Sequence, residues 1–269
     1  MKRNIPAIIG LAIISILIIT ALLAPLLAPY NPTDQNLYQR LQPPGSQHLL
    51  GQDSLGRDVF TRIIYGTRVS LKVGIITVSI SLIIGISLGL TAGYIGGIAD
   101  EVIMRICDIF LAFPGILLAI ALMSIMEPSL NNVIIALSIM GWVGYARLVR
   151  GQTLSLKESE FVTAARSLGA GHLRIMLRHI LPNLLAPVIV EATFGMGGVI
   201  VAEAGLSFLG LGTQPPTPSW GTMLNEGRKF LLIAPHLTTF PGLAIMIVVL
   251  GLNFLGDGIR DVFDPQRKR

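Results

Sequence analysis

The chain has 269 residues, of which 52% are hydrophobic and only 13% charged, about half the charged share of an ordinary water-soluble domain. The formal net charge of +5 sits in short polar stretches between apolar runs, without the basic stripe and stacking aromatics of a nucleic-acid surface, so membrane orientation explains it and no nucleic acid is expected as a partner. The single cysteine, Cys107, excludes an intramolecular disulfide and a cysteine-only metal site and reads as a small core residue.

A hydrocarbon core roughly 30 Å thick takes about 20 apolar residues per helical crossing. The first run, residues 5–27, follows Lys2 and Arg3, and a secretory signal is its competing reading. It is too long for a signal core and ends at Pro25 and Pro29 without a small-residue cleavage site, so it is read as a retained span. Residues 30–68 are polar and proline-rich and are expected to be irregular and outside the bilayer. Further runs cover residues 73–99, 109–126, 130–146, 184–211 and 237–255, with a second polar outer stretch at 213–235. The prediction is an all-α membrane protein of about six transmembrane helices. Pro6, Pro25, Pro128 and Pro241 lie near run ends, while Pro114 lies inside the third run and is expected to kink or shorten it.

With the N-terminus inside, thirteen of the 20 Lys and Arg fall on the cytoplasmic side: Lys2, Arg3, Arg105, Arg147, Arg150, Lys157, Arg166, Arg174, Arg178, Arg260, Arg267, Lys268 and Arg269. That bias favours cytoplasmic N- and C-termini, although Arg57, Arg62, Arg68 and Lys72 before the second span count against it. In the second run Gly85, Gly89, Gly93 and Gly97 recur every four residues, leaving one helix face bare enough for another helix to approach closely.

The catalytic and metal motifs are missing. None of the five lysines is followed by Ser or Thr, so the chain lacks a phosphate-cradling loop and any ATP must be hydrolysed by a partner. His172 and His179 are too far apart for a metal-binding pair, and Gly205-Leu-Ser-Phe208 lacks the second glycine of a nucleophile elbow. No enzyme is expected.

The polar, basic segment 142–187 is the most informative stretch. Ser159 is placed to cap a short helix carrying Phe161, Val162, Ala165 and Leu168 at helical spacing, with Gly169 ending it. A second helix from about His172 sets Leu173, Met176, Leu177 and Ile180 on one face and Arg174 and Arg178 on another, up to Pro182. Small residues at the bend (Ala164, Ala165, Gly169) would admit a partner surface. An interfacial amphipathic hairpin lying on lipid headgroups is the alternative.

The pattern Ala164-Ala165-x-x-x-Gly169 followed by Ile180-Leu181-Pro182 resembles the coupling-loop signature of permease subunits in binding-protein-dependent ATP-binding-cassette (ABC) importers. Thr163 stands where the general pattern has glutamate and His179 where it has isoleucine; with the lead-in Glu160-Phe-Val, these departures resemble the dipeptide, oligopeptide and nickel branch. His48-Leu-Leu-Gly-Gln-Asp-Ser-Leu-Gly-Arg-Asp58, the stretch from Ser207 to Gly221, Phe240-Pro-Gly242 and the tail from Leu255 to Pro265 extend the resemblance over nearly the whole chain, to the C-type permease of the pair.

The resemblance implies a type I ABC importer permease fold divided into a first span at 1–29, an extracytoplasmic segment at 30–69, a core at 70–258 and a cytoplasmic tail at 259–269. It also implies a heterodimer with a second permease, two ATPase subunits that use ATP and Mg, an extracytoplasmic solute-binding protein, and no cofactor on this chain. Within the coupling segment 150–183, Glu160, Ala164, Ala165, Gly169, Leu181 and Pro182 would meet an ATPase subunit. Peptide is the first expectation for cargo and nickel or a nickel chelate the second, with oligosaccharides carried by some relatives. Glu191 and Glu203 lie inside the fifth run, where a carboxylate facing lipid is costly, and either line the translocation path or are hydrogen-bonded packing groups. Asp108 reads as a helix-end or interhelix partner, and Gly56-Arg57-Asp58 as a structural turn with an Arg-Asp pair or a docking contact. An ion-coupled secondary transporter would need organised intramembrane carboxylates and repeated halves, which the sequence does not present; a membrane scaffold is the third class.

Overall fold

The computed structural model describes residues 5–263, helical apart from loops, turns and one isolated bridge between Gln52 and Asp58. Lys2, Arg3, Arg267, Lys268, Arg269 and the Asp264-Pro265 end of the tail motif lie outside the described residues. The first half contains α1 (Ile5–Leu22), α2 (Ala24–Leu27), α3 (Val59–Ile95), α4 (Gly97–Leu111), α5 (Gly115–Ile125) and α6 (Leu130–Leu156). The second contains α7 (Glu160–Ser167), α8 (His172–Arg174), α9 (Leu181–Phe208), α10 (Trp220–Gly227) and α11 (His236–Phe263). Five helical stretches are long and apolar enough to cross a membrane, and α4 with α5, bent by 84° at their junction, makes a sixth if counted as one. The bend falls at Pro114, which has no amide hydrogen to extend α4 and disfavours helical geometry at Phe113.

The second crossing starts well before the apolar run. Asp58 accepts from the Thr61 amide at 2.7 Å and caps a 37-residue helix, about 55 Å long at 1.5 Å per residue. Along one face of α3 the glycines meet α6 directly. A Cβ at Gly85 would lie 2.8 Å from the Trp142 carbonyl, one at Gly89 would strike the Ala146 carbonyl, and one at Gly93 would lie 2.9 Å from the Arg150 carbonyl. Gly97 does not continue this row: α3 ends at Ile95, and Gly96 and Gly97, both at positive φ, turn the chain into α4 with open space around them.

Around the α3–α6 pair, α9 packs on both, and α11 brings α1 against the outside of the bundle. Gly251 of α11 sits beneath Ile13 of α1 and Gly258 beneath Ala7, so small residues again allow the helices to touch. Buried side chains form one cluster around Trp220 and Met223, a second among α3, α5, α6 and α9, and a third where Leu90, Val149, Val162, Ile175 and Leu184 meet. The loop 213–235 contains a short helix rather than wholly irregular chain. Ser219 and Thr222 close a capping box at the start of α10, whose Trp220 indole donates to the Ile63 carbonyl at 3.1 Å.

Candidate functional site

In the polar segment, α7 turns Val162 and Ala165 inward and leaves Glu160, Phe161, Ala164 and Arg166 exposed. The helix ends as the sequence suggests, in a Schellman motif: the Ala170 amide donates to the Ala165 carbonyl and the Gly169 amide to the Arg166 carbonyl, both at 3.0 Å, with Gly169 at φ 81°. Left-handed backbone at this point requires glycine for conformational reasons, since the space around its Cα is open. Ser159 occupies the cap position without capping; its hydroxyl donates back to the Leu156 carbonyl.

Two expectations for the second half of the segment are corrected. The inward residues are Ile175 and Ile180, while Leu173 and Leu177 are exposed. The helix also does not stop at Pro182, which sits exposed in the first turn of α9, with Leu181 half-buried before it. Residues 175–180 form a π-helical stretch, with the Leu181 amide bonded to the Met176 carbonyl, so α8 runs on into the fifth crossing. Leu168, 88% exposed, Leu173 and Leu177 are thus left bare by the chain around a bend of small residues.

This exposed bend is tied firmly to the spans. The Tyr94 hydroxyl at the end of α3 hydrogen-bonds His172 Nδ1 at 3.1 Å, and the two rings meet edge to face. Arg150 of α6 holds Asp100 of α4 with two hydrogen bonds, Nη2 to Oδ2 at 2.6 Å. Asp108 reaches Arg147 at 3.8 Å, both exposed, a weak interhelix pair.

The two carboxylates of the fifth crossing part company. Glu203 is completely buried, accepts from the Ser207 hydroxyl at 2.7 Å and lies where α10 packs on α9, so it is a packing group rather than part of an open path. Glu191 is exposed on a cavity of 640 Å³ bounded by α6, α9 and α11.

At the opposite end lies a cluster that sequence reasoning missed. Arg57 bonds Asp53 at 2.6 Å and Glu226 at 2.7 Å; Arg62 bonds the same two carboxylates at 2.8 and 3.1 Å. Two guanidinium groups and two carboxylates close a neutral ring, Arg62 being only 2% exposed. The expected pair in Gly56-Arg57-Asp58 is therefore Arg57 with Asp53, and Asp58 instead caps α3 and bonds His48 at 2.9 Å. Burial pushes the Glu226 carboxyl up from its ordinary range, and the Arg57 guanidinium pulls it back. The signal available in the sequence was a run of arginines before an apolar stretch, but one of the two carboxylates they share, Glu226, lies more than 160 positions away.

Residues 85–269 match the family described as binding-protein-dependent transport system inner membrane component, and residues 1–44 match the N-terminal transmembrane domain of oligopeptide transport permease C. The chain is 51% identical to the dipeptide transport system permease protein of Alkalihalophilus pseudofirmus, covering 100% of this chain and 88% of that protein. It is 49% identical to the glutathione transport system permease protein of Pectobacterium atrosepticum, over 100% and 89% respectively. Among solved structures, inward-facing forms of the methionine ABC transporter MetNI share the fold, with a TM-score of 0.63 at 19% identity over 76% of this chain and 98% of that one.

Proposed function

The chain belongs to the family of binding-protein-dependent transport inner-membrane components and is a multi-pass permease subunit of a peptide ABC importer, and from that premise we propose that its exposed bend at residues 160–182 is the seat of an ATPase subunit. The observation that carries this is the group of bare leucines, Leu168, Leu173 and Leu177, around the left-handed Gly169. Apolar side chains in water at the polar end of a membrane protein mark a surface that another protein covers. Glu160, Ala164, Ala165, Leu181 and Pro182 belong to the same seat.

Through Tyr94–His172 and the buried contacts of Val162 and Ile175, a push on the bend reaches α3, α6 and α9 together. ATP, with Mg, is hydrolysed by two partner subunits whose closure moves the spans between inward- and outward-facing arrangements. A second permease completes the path, and a solute-binding protein delivers cargo at the face carrying α10. The bend and both chain ends lie in the cytoplasm. The internal pairing of Arg57 and Arg62 supports this orientation, because two of the arginines that counted against it are neutralised inside the protein. Dipeptides are the cargo we favour over nickel chelates, since the relatives at 51% and 49% identity are named for dipeptide and for glutathione, itself a peptide.

The test is Gly169→Asp in the assembled importer. The variant is expected in the membrane at normal level with ATP-driven dipeptide uptake lost; normal uptake by this variant would remove the assignment of the bend.

A further inference from the structure

Glu191 stands in the middle of an apolar crossing, exposed, with no ion pair or side-chain hydrogen bond among the described residues. An ionisable group in such a place is costly unless it faces water, protein or something that passes by. It faces a cavity of 640 Å³ lined by Leu148 of α6, Val190 and Phe194 of α9, and Arg260 and Phe263 of α11. That volume falls in the range of small-molecule sites. The lining is apolar except for one carboxylate and one guanidinium, and these two do not pair with each other.

Peptides of different sequence share few features: a backbone, an ammonium at one end and a carboxylate at the other. A path that carries many of them cannot match their side chains and has only the ends to hold. From the placement of Glu191 and Arg260 on one apolar cavity we infer a transient subsite for the termini of a short peptide, Glu191 receiving the α-ammonium and Arg260 the terminal carboxylate. Leu148, Val190, Phe194 and Phe263 give the side chains an unselective apolar wall. A charge-assisted contact to a half-solvated carboxylate holds the ammonium without trapping it, as a path that must also release its cargo requires. The inference rests on the peptide-import reading above and assigns that reading a chemical group.

The native thiol offers a clean background for testing this, because Cys107 is fully buried. Ala186→Cys, or Pro187→Cys beside it if the first variant assembles poorly, places a reporter thiol at the edge of the cavity of the complete importer in proteoliposomes. Its alkylation by N-ethylmaleimide is followed with millimolar L-alanyl-L-alanine or its N-acetyl derivative, and ATP-driven uptake of the dipeptide is recorded in the same preparation. The free dipeptide is expected to slow alkylation about tenfold, the typical scale of one charge-assisted bond, and the acetylated one to leave it unchanged. Glu191→Gln is expected to abolish the protection. Equal protection by both compounds, or none, in a preparation that imports the dipeptide overturns the subsite while leaving the import reading intact. An unsubstituted importer that imports no dipeptide overturns the import reading and the subsite with it.

Discussion

The two polar ends of this molecule solve opposite problems. At the end formed by the 30–58 loop and α10, charged groups are drawn largely out of water and paired with one another, Arg57 and Arg62 against Asp53 and Glu226. At the end formed by α7 and α8 it is apolar groups, Leu168, Leu173 and Leu177, that the chain leaves exposed. The charges of the first end are closed on one another. The second leaves apolar side chains bare, and the difference separates charges paired within the chain from apolar groups without cover in it.

Breaking the closed end should therefore cost most. Arg62→Ala leaves two carboxylates beside a single guanidinium in a nearly dry site, and the expected destabilisation is about 3–5 kcal/mol, read as a lowered thermal midpoint of the purified permease in detergent. Gly89→Val forces a side chain onto the Ala146 carbonyl where α3 and α6 touch, and overpacking of this kind costs about 2 kcal/mol, visible in the same measurement. Tyr94→Phe removes one hydrogen bond to His172, with a loss of about 1 kcal/mol; faster amide exchange in residues 160–175, with little change elsewhere, would locate it. Leu168→Ser should move the stability of the isolated permease by no more than about 0.5 kcal/mol, yet reduce the amount of ATPase subunit that co-purifies. A Leu168→Ser variant as unstable as Arg62→Ala would erase the contrast between the ends.

The crossings, the break at Pro114 and the close approach at Gly85, Gly89 and Gly93 were legible because each depends on neighbours a few positions away. The start of α3 was not. A hydropathy pattern sees Arg62, Arg68 and Lys72 as polar flank, and only the fold brings Glu226 to Arg62 so that the helix can begin at Val59. Gly97 fitted the four-residue period, but the period carries no mark of where the helix stops. Pro182 read as a terminator because an ordinary helix would lose a hydrogen bond there; the π-helical stretch before it changes the bonding pattern and lets the helix through. The separate fates of Glu191 and Glu203 depend on α10, whose packing against α9 buries one and leaves the other on a cavity. Of the contact surface, the Gly169 bend was readable from residue types, while the outward direction of Leu173 and Leu177 was hidden by the same irregular turn.

The length of α3 has a mechanical consequence. It is one unbroken strut that carries the Arg62 end of the ionic ring near its start and Tyr94, the grip on the inner bend, near its finish. A rod about 55 Å long that tilts by about five degrees at one tip sweeps the other through about 5 Å. Through one rigid helix, a small tilt at the grip on the bend is therefore carried the full length of the molecule to the ionic ring.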